Sequence, residues 1–290
     1  MKVLITGGSG NIGKALSFYL SNKGFKVSWL SRKVNPSNPY KTYKWDLKNQ
    51  FIDPLSISKA DVIIHLAGSG VIDKSWSKKY KSEIISSRVD GLKLIKQEIV
   101  NQQKSAIHLI TASGINYYGG HSSKDIMNET SPSTSHFISK VCQVWESTAF
   151  EIQPFVKTVS VLRIGVVLGE NMPAQEKMMI PIKLGLGSKL GSGEQNIACI
   201  HIEDLCQLFE FIISNNLSGI YNAVGENISQ WQLTKRMAKD SKRPLFAPPV
   251  PGFILRIFLG DRADLILNGY VVSNEKIISK GFRFENSNSL

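Results

Sequence analysis

The segment MKVLITGGSGNIGKALSFYL constrains this chain more than any other. A run with strand character, KVLIT, passes without interruption into glycines and then into a helical pattern. Gly7, Gly10 and Gly13 fall at three-residue intervals across that junction. Gly7 permits the tight turn, Gly10 lets the backbone approach a pyrophosphate, and Gly13 lets the helix pack closely on the strand. The amides that open the helix, at Asn11, Ile12 and Gly13, then face the anion. Glycines alone would say little, but a strand before them and a helix after them predict a dinucleotide site.

The remaining chain repeats the same alternation. Short β-rich runs (KVSWL, YKTYKW, DVIIHLA, AIHLITAS, TVSVLRIGVVLG) are separated by stretches of helical period, including WSKKYKSEIISSRVDGLKLIKQEIV and FISKVCQVWESTAF. Strands joined by helices of this length form βαβ units, so the fold class is α/β, a doubly wound parallel sheet covered on both faces. From residue 170 the pattern loosens, and NMPAQEKMMIPIKLGLGSKLGSGEQ reads as a mobile excursion on the substrate side. The proline-rich run RPLFAPPVPG ends one unit. The expected organisation is a Rossmann domain over 1–230, with a substrate-side insertion around 170–195, and a C-terminal helical cap over 244–285. About 40 residues are too few to bury a core alone, so the cap must lean on the larger unit.

Composition narrows the function classes. Of 290 residues 42% are hydrophobic, which suits a packed globular chain. The formal net charge of +12 favours anionic partners, but nucleic-acid module signatures are missing, so nucleic acid is not an expected partner. The N-terminus reads as a strand and not a signal peptide, and no run of about 18 apolar residues offers a membrane span. A cytoplasmic protein follows by default. Cys142, Cys199 and Cys206 lack metal or redox spacing and read as free, buried thiols.

The second strand selects the cofactor. An acid at its end would take the ribose 2′-hydroxyl of NAD, and here Ser31, Arg32 and Lys33 stand instead. Two cations and a hydroxyl suit a 2′-phosphate, so NADP is the expected cofactor.

These segments resemble the extended short-chain dehydrogenases: TGGSGNIG, DVIIHLAG, IHIEDL and YNAVG carry the likeness. More narrowly, LAGSGVIDKSWSKKYKSEIISSR, LRIGVVLG, IKLGLGSKLGSGEQNIACIHIEDL and ADLILNGYVV resemble one atypical branch, labelled epimerase family protein or, in some bacteria and plastids, cell division inhibitor. The resemblance implies NADP binding. It assigns Ser31 and Arg32 to the 2′-phosphate, and Leu66, Ala67 and Gly68 of the HLAG turn to contacts along the cofactor. It also assigns Glu83, Arg88 and Arg163 to the cofactor site. Taken alone, Glu83 and Arg88 read as a solvated helix face.

Hydride transfer in this superfamily uses a Ser or Thr after the fifth strand, a Tyr that moves the proton, and a Lys four residues later that lowers the tyrosine pKa. Ser113 fits the first place, with Thr111 in reserve, and Lys140 fits the third. The tyrosine position holds His136. Histidine moves protons near neutrality. His136 is therefore either the proton carrier or simply the residue that starts a helix, with Tyr117 or Tyr118 as surrogate; the tyrosines in the Ser113 loop favour the second. Sugar-nucleotide epimerases of the superfamily carry an arginine two residues after the glutamine of a GxGxQ stretch, and here Ile197 occupies that place. Two functions remain open: an oxidoreductase or epimerase acting on an unknown small substrate, or a non-catalytic NADP-binding regulator with a protein partner.

Overall fold

A computed structural model describes residues 1–119 and 125–286. The chain opens with β1 (Lys2–Thr6), α1 (Asn11–Asn22), β2 (Lys26–Ser31), β3 (Lys41–Asp46), β4 (Phe51–Ile52), α2 (Pro54–Ser58) and β5 (Val62–His65). It continues with α3 (Lys78–Asn101), β6 (His108–Gly114), β7 (Ile126–Met127), α4 (Phe137–Phe150), β8 (Thr158–Ile164), β9 (Val166–Leu168) and α5 (Pro173–Lys183). The last third holds β10 (Asn196–His201), α6 (Ile202–Ser214), β11 (Gly219–Ala223), β12 (Glu226–Ser229) and α7 (Gln230–Asp240). The chain then forms α8 (Gly252–Leu259), α9 (Asp264–Leu267), β13 (Val271–Val272) and α10 (Glu275–Ile278).

Eight strands build one sheet in the order β11-β8-β6-β5-β1-β2-β3-β4, parallel throughout except for the antiparallel β3–β4 edge. This is the doubly wound Rossmann arrangement expected. Strand residues explain why both faces are covered: Leu4 and Ile63 pack among α3 and α4, whereas Val3, Ile5 and Ile64 pack among α1 and α6. Alternating side chains of near-continuous apolar strands leave no face for water. Leu16 and Leu20 of α1 are fully buried, each stabilising the fold by roughly 1.5–3 kcal/mol.

Two readings change. TVSVLRIGVVLG, taken as one strand, is two strands in different sheets, because β9 pairs with β10 while β8 stays in the large sheet. The break is at Gly165, where a Cβ would lie 2.6 Å from the Ala198 carbonyl oxygen, so only glycine lets the chain pass. The excursion after 170 contains a helix, α5, despite Pro173 and Pro181. Pro173 occupies the first turn, where no amide hydrogen bond within the helix is needed.

The C-terminal residues pack on the large unit at several points. β13 pairs with β7, Ile277 and Phe282 enter the core against β11 and α6, and Asp204 accepts hydrogen bonds from the backbone of Glu285 and Asn286. The Arg262 guanidinium donates to the Ile72 carbonyl, and Lys81 pairs with Asp261 at 3.5 Å. All three cysteines are free and buried. Among the described residues no helix is long and apolar enough to cross a membrane.

Two buried histidines link this packing to pH. His65 is fully buried, with Nδ1 2.9 Å from the Thr6 hydroxyl and Nε2 3.2 Å from the Arg88 carbonyl oxygen. Burial, with the Arg88 cation adding to it, lowers the His65 pKa to about 4. Burial and then Lys157 lower that of His108 to about 4 as well. The unfolded chain takes up these protons near pH 6.5, so between about 6.5 and 4 it binds more protons than the fold, and stability falls as pH drops. We expect the urea midpoint to fall across that window, with a loss on the order of 3 kcal/mol per histidine by pH 4. His108→Asn should flatten the dependence, and a midpoint independent of pH over this range would contradict the neutral imidazoles.

Candidate functional site

Strand register gathers the motifs at one edge. Thr6, the last residue of β1, pairs with Leu30 on one side and His65 on the other, so the ends of β1, β2 and β5 are level. Strand order reverses between β1 and β5, which opens a crevice at their carboxyl ends. Gly7 turns with φ +72°, and a Cβ there would press on the Ala67 amide nitrogen at 3.0 Å. At Gly13 a Cβ would sit 2.3 Å from the Gly7 oxygen, so this glycine closes α1 against the turn. Gly10 differs: its φ of −75° suits any residue, and a Cβ would meet only the Gly7 oxygen, at 3.3 Å. The loop is open on that side. Helix α1 has neither a capping side chain nor an acid in its first turn, which leaves the amides of Asn11, Ile12 and Gly13 and the positive helix end for an anion. The Asn11 side chain donates to the Asn171 carbonyl and ties the helix start to the chain after β9. This cradle fits a dinucleotide pyrophosphate.

Ser31 ends β2 half-buried, and Arg32 and Lys33 are exposed beside it. Arg32 has no acidic partner among the described residues. Across the crevice the amides of Leu66 and Ala67 bond to the carbonyl and hydroxyl of Thr6, and Gly68 follows. A Cβ on Gly68 would strike the Arg88 guanidinium at 2.9 Å. Arg88 is buried, donates to the carbonyls of Ser69 and Ile84, and lies 4.9 Å over the Trp145 ring. Glu83 accepts from the Ser69 hydroxyl at 3.1 Å. Both therefore brace the turn after β5, and Arg88 is not on a solvated face.

The relay residues do not meet in one place. The buried Ser113 donates its hydroxyl to Glu146 at 2.7 Å. Glu146, on α4, is gripped by Arg163 through Nε at 2.9 Å and Nη2 at 2.8 Å. Arg163 also donates to the Tyr118 hydroxyl and the Glu129 carbonyl, and its guanidinium carbon lies 3.4 Å from the Tyr117 ring centroid. Tyr118 is fully buried and donates to Asn222, and burial pushes its pKa up to about 12 despite the Arg163 cation. Thr111 is buried and bonded to its own strand. Lys140 is exposed on α4. His136 sits at the N-cap of α4, yet its imidazole makes no capping hydrogen bond. It faces a cavity instead.

That cavity, of about 980 Å³, opens just past the ends of β6 and β8, where Ile115, Asn116, Ile164 and Gly165 line it. His136 and Phe137 form one side, α5 and α7 contribute Met178 and Leu233, and the C-terminal residues Leu265 and Ile266 lie opposite. Ser113, Tyr117 and Lys140 are not among its walls. Sequence reasoning missed Asn116 and Glu146. Glu146 had a signal, because it falls on the buried stripe of α4 with Ile138, Cys142, Trp145 and Ala149, where an acid demands a partner.

Residues 3–224 match the NAD dependent epimerase/dehydratase family. The chain belongs to that family. Residues 250–288 match a domain of unknown function, DUF1731, in the C-terminal region. The chain is 31% identical to the epimerase family protein YfhF of Bacillus subtilis, over 98% of this chain and 94% of that one. Among solved structures it resembles human epimerase family protein SDR39U1 (isoform 2) with NADPH, at TM-score 0.86 and 25% identity, over 99% and 96% of the two chains. MoeE5 in complex with UDP-glucuronic acid and NAD shares the fold at TM-score 0.78 and 18% identity, over 98% and 94%. The family's glycine loop makes a direct test possible here. Gly10→Val should abolish dinucleotide binding, measured by calorimetry with NADPH and NADH, while circular dichroism and the unfolding midpoint stay normal, because the added side chain enters the open side of the cradle. Retained affinity in the folded variant would contradict the loop's role.

Proposed function

We propose that this chain is an NADP-dependent oxidoreductase-like member of its family, acting on a carbonyl or alcohol group of a small substrate held in the cavity. NADPH in the SDR39U1 structure and the Ser31–Arg32–Lys33 strand end both support this cofactor. Arg32 would hold the 2′-phosphate as a fork and Ser31 would add a hydroxyl, while Gly7 to Gly13 would receive the pyrophosphate. Leu66, Ala67 and Gly68 would run along the cofactor, with Glu83 and Arg88 positioning that turn. When bound, NADPH supplies the hydride. Arg163 would act as a positioning residue through Glu146 and Tyr117. We read 1–230 as the cofactor unit with its insertion around 170–195, and 244–285 as the cap over the substrate.

The observation that carries this reading is the uncapped His136 imidazole on the cavity wall. Of the proton carriers in question, it alone among His136, Tyr117 and Tyr118 faces the space where a substrate would lie. His136 would give a proton to the developing alkoxide, with Lys140 one turn along α4. A second reading is a non-catalytic NADP-binding regulator, the class suggested by the cell division label. The donation of the Ser113 hydroxyl to Glu146 favours it, because that hydroxyl is then not offered to a substrate oxygen.

Two measurements bear on this reading. NADPH should bind more than tenfold more tightly than NADH, a difference above about 1.4 kcal/mol, and Arg32→Ala should remove most of that preference with NADH affinity nearly unchanged. Equal affinities for the two cofactors in the wild-type protein would rule out the 2′-phosphate site. His136→Ala should lower NADPH oxidation with a carbonyl substrate by roughly 10²-fold at unchanged NADPH affinity. If that variant turns over normally, proton transfer lies elsewhere; if the wild-type chain binds NADPH and reduces nothing, the regulator is the correct class.

A further inference from the structure

We infer that the cavity selects an uncharged, elongated, largely aliphatic carbonyl compound and excludes nucleotide sugars; this names the substrate class and so rests on the oxidoreductase reading above. A volume of about 980 Å³ far exceeds a three- or four-carbon substrate and lies near the upper end for small-molecule pockets. Its deep walls are aliphatic: Met178, Ile182, Leu190, Ile197, Leu233 and Ile266.

The polar groups of the lining are for the most part already engaged. Gln230 donates to Thr234 and accepts from the Leu190 amide. Lys177 pairs with Asp73 at 3.8 Å where both are exposed. Asp261 and Asp264 pair with Lys81 and Arg256, and Arg262 donates to backbone. A buried diphosphate would need at least one cation to offset its desolvation; the two cations of the lining, Lys177 and Arg262, are held by Asp73 and by the carbonyls of Leu259 and Ile72. Where a clamping arginine would stand, Ile197 presents hydrocarbon.

Polarity that remains unspent gathers next to the strand ends. Among the described residues the Asn116 side chain makes no hydrogen bond, and His136, at the start of α4, lines the same cavity. Asn116 is fixed through its backbone, because its carbonyl accepts from the Ser139 hydroxyl at 2.8 Å at the start of α4. An amide donor and an imidazole at one end, with hydrocarbon beyond, orient a molecule with one polar head and an apolar tail. The head meets the reacting edge of the sheet, and the tail runs between α5, α7 and the C-terminal residues.

The test uses the full chain saturated with NADP and a series of methyl ketones, 2-butanone, 2-hexanone, 2-octanone and 2-decanone, with UDP-glucose as the charged probe. Calorimetric affinity should rise roughly threefold to fourfold for each added methylene, the factor expected for burying it, until the cavity is filled. UDP-glucose should show no binding. Met178→Arg, at a half-buried wall position, should remove the dependence on chain length, with NADP affinity as the control for folding; Met178→Leu should keep it. Affinity independent of chain length, or UDP-glucose binding more tightly than 2-decanone, would overturn the inference. NADPH oxidation is recorded separately. Chain-length-graded binding without oxidation would uphold the substrate class and reject the hydride chemistry, so the two failures are distinguishable.

Discussion

The buried ion pair between Arg163 and Glu146 organises the carboxyl edge of the sheet. Burial alone would pull the Arg163 pKa down, but the hydrogen bonds and charge of Glu146 outweigh it and hold the guanidinium firmly protonated. Both side chains are almost completely out of water, so removal of either would leave an uncompensated charge at a cost of roughly 3–5 kcal/mol. The pair ties β8 to α4. Through Ser113 it reaches β6, through Tyr118 and Asn222 it reaches β11, and through the Glu129 carbonyl it reaches the loop below. The end of the sheet and the body of α4 are thus set by one connected polar network.

That network also bears on the altered relay. A serine that gives its hydroxyl to a carboxylate is a structural donor, and a tyrosine flattened under a guanidinium has lost its freedom to swing. The residues nearest in sequence to the superfamily's acid–base machinery have been drawn into the support behind it. His136 escaped because it sits at the N-cap of α4, outside that network, on the wall of the cavity.

Much of the fold was legible because its signals are local. KVLIT followed by TGGSGNIG states a strand, a turn and a helix within 13 residues, and near-continuous apolar strands such as DVIIHLA require cover on both faces. What stayed hidden depends on distant partners. The break in TVSVLRIGVVLG follows from the approach of Ala198 to Gly165, 33 residues away, and α5 was masked by Pro173, which its first turn tolerates, and by Pro181 inside it. In the site, the glycine cradle could be read from spacing, whereas the commitment of Ser113 to Glu146 spans 33 positions and leaves no local trace. Arg88 looked like a surface residue because its partners are backbone carbonyls and an indole face, which have no charge pattern.

The placement of Ile277 and Phe282 in the core against α6 and β11 has a consequence for how the molecule is made. Synthesis is vectorial, and residues near the N-terminus leave the ribosome long before those near 280. Until Phe282 emerges, the apolar faces of α6 and β11 lack their last cover, and Asp204 lacks the backbone amides that satisfy it. The nascent chain therefore carries an exposed hydrophobic patch from the synthesis of α6 onward, and a stall after α7 leaves a sticky intermediate for chaperones to guard.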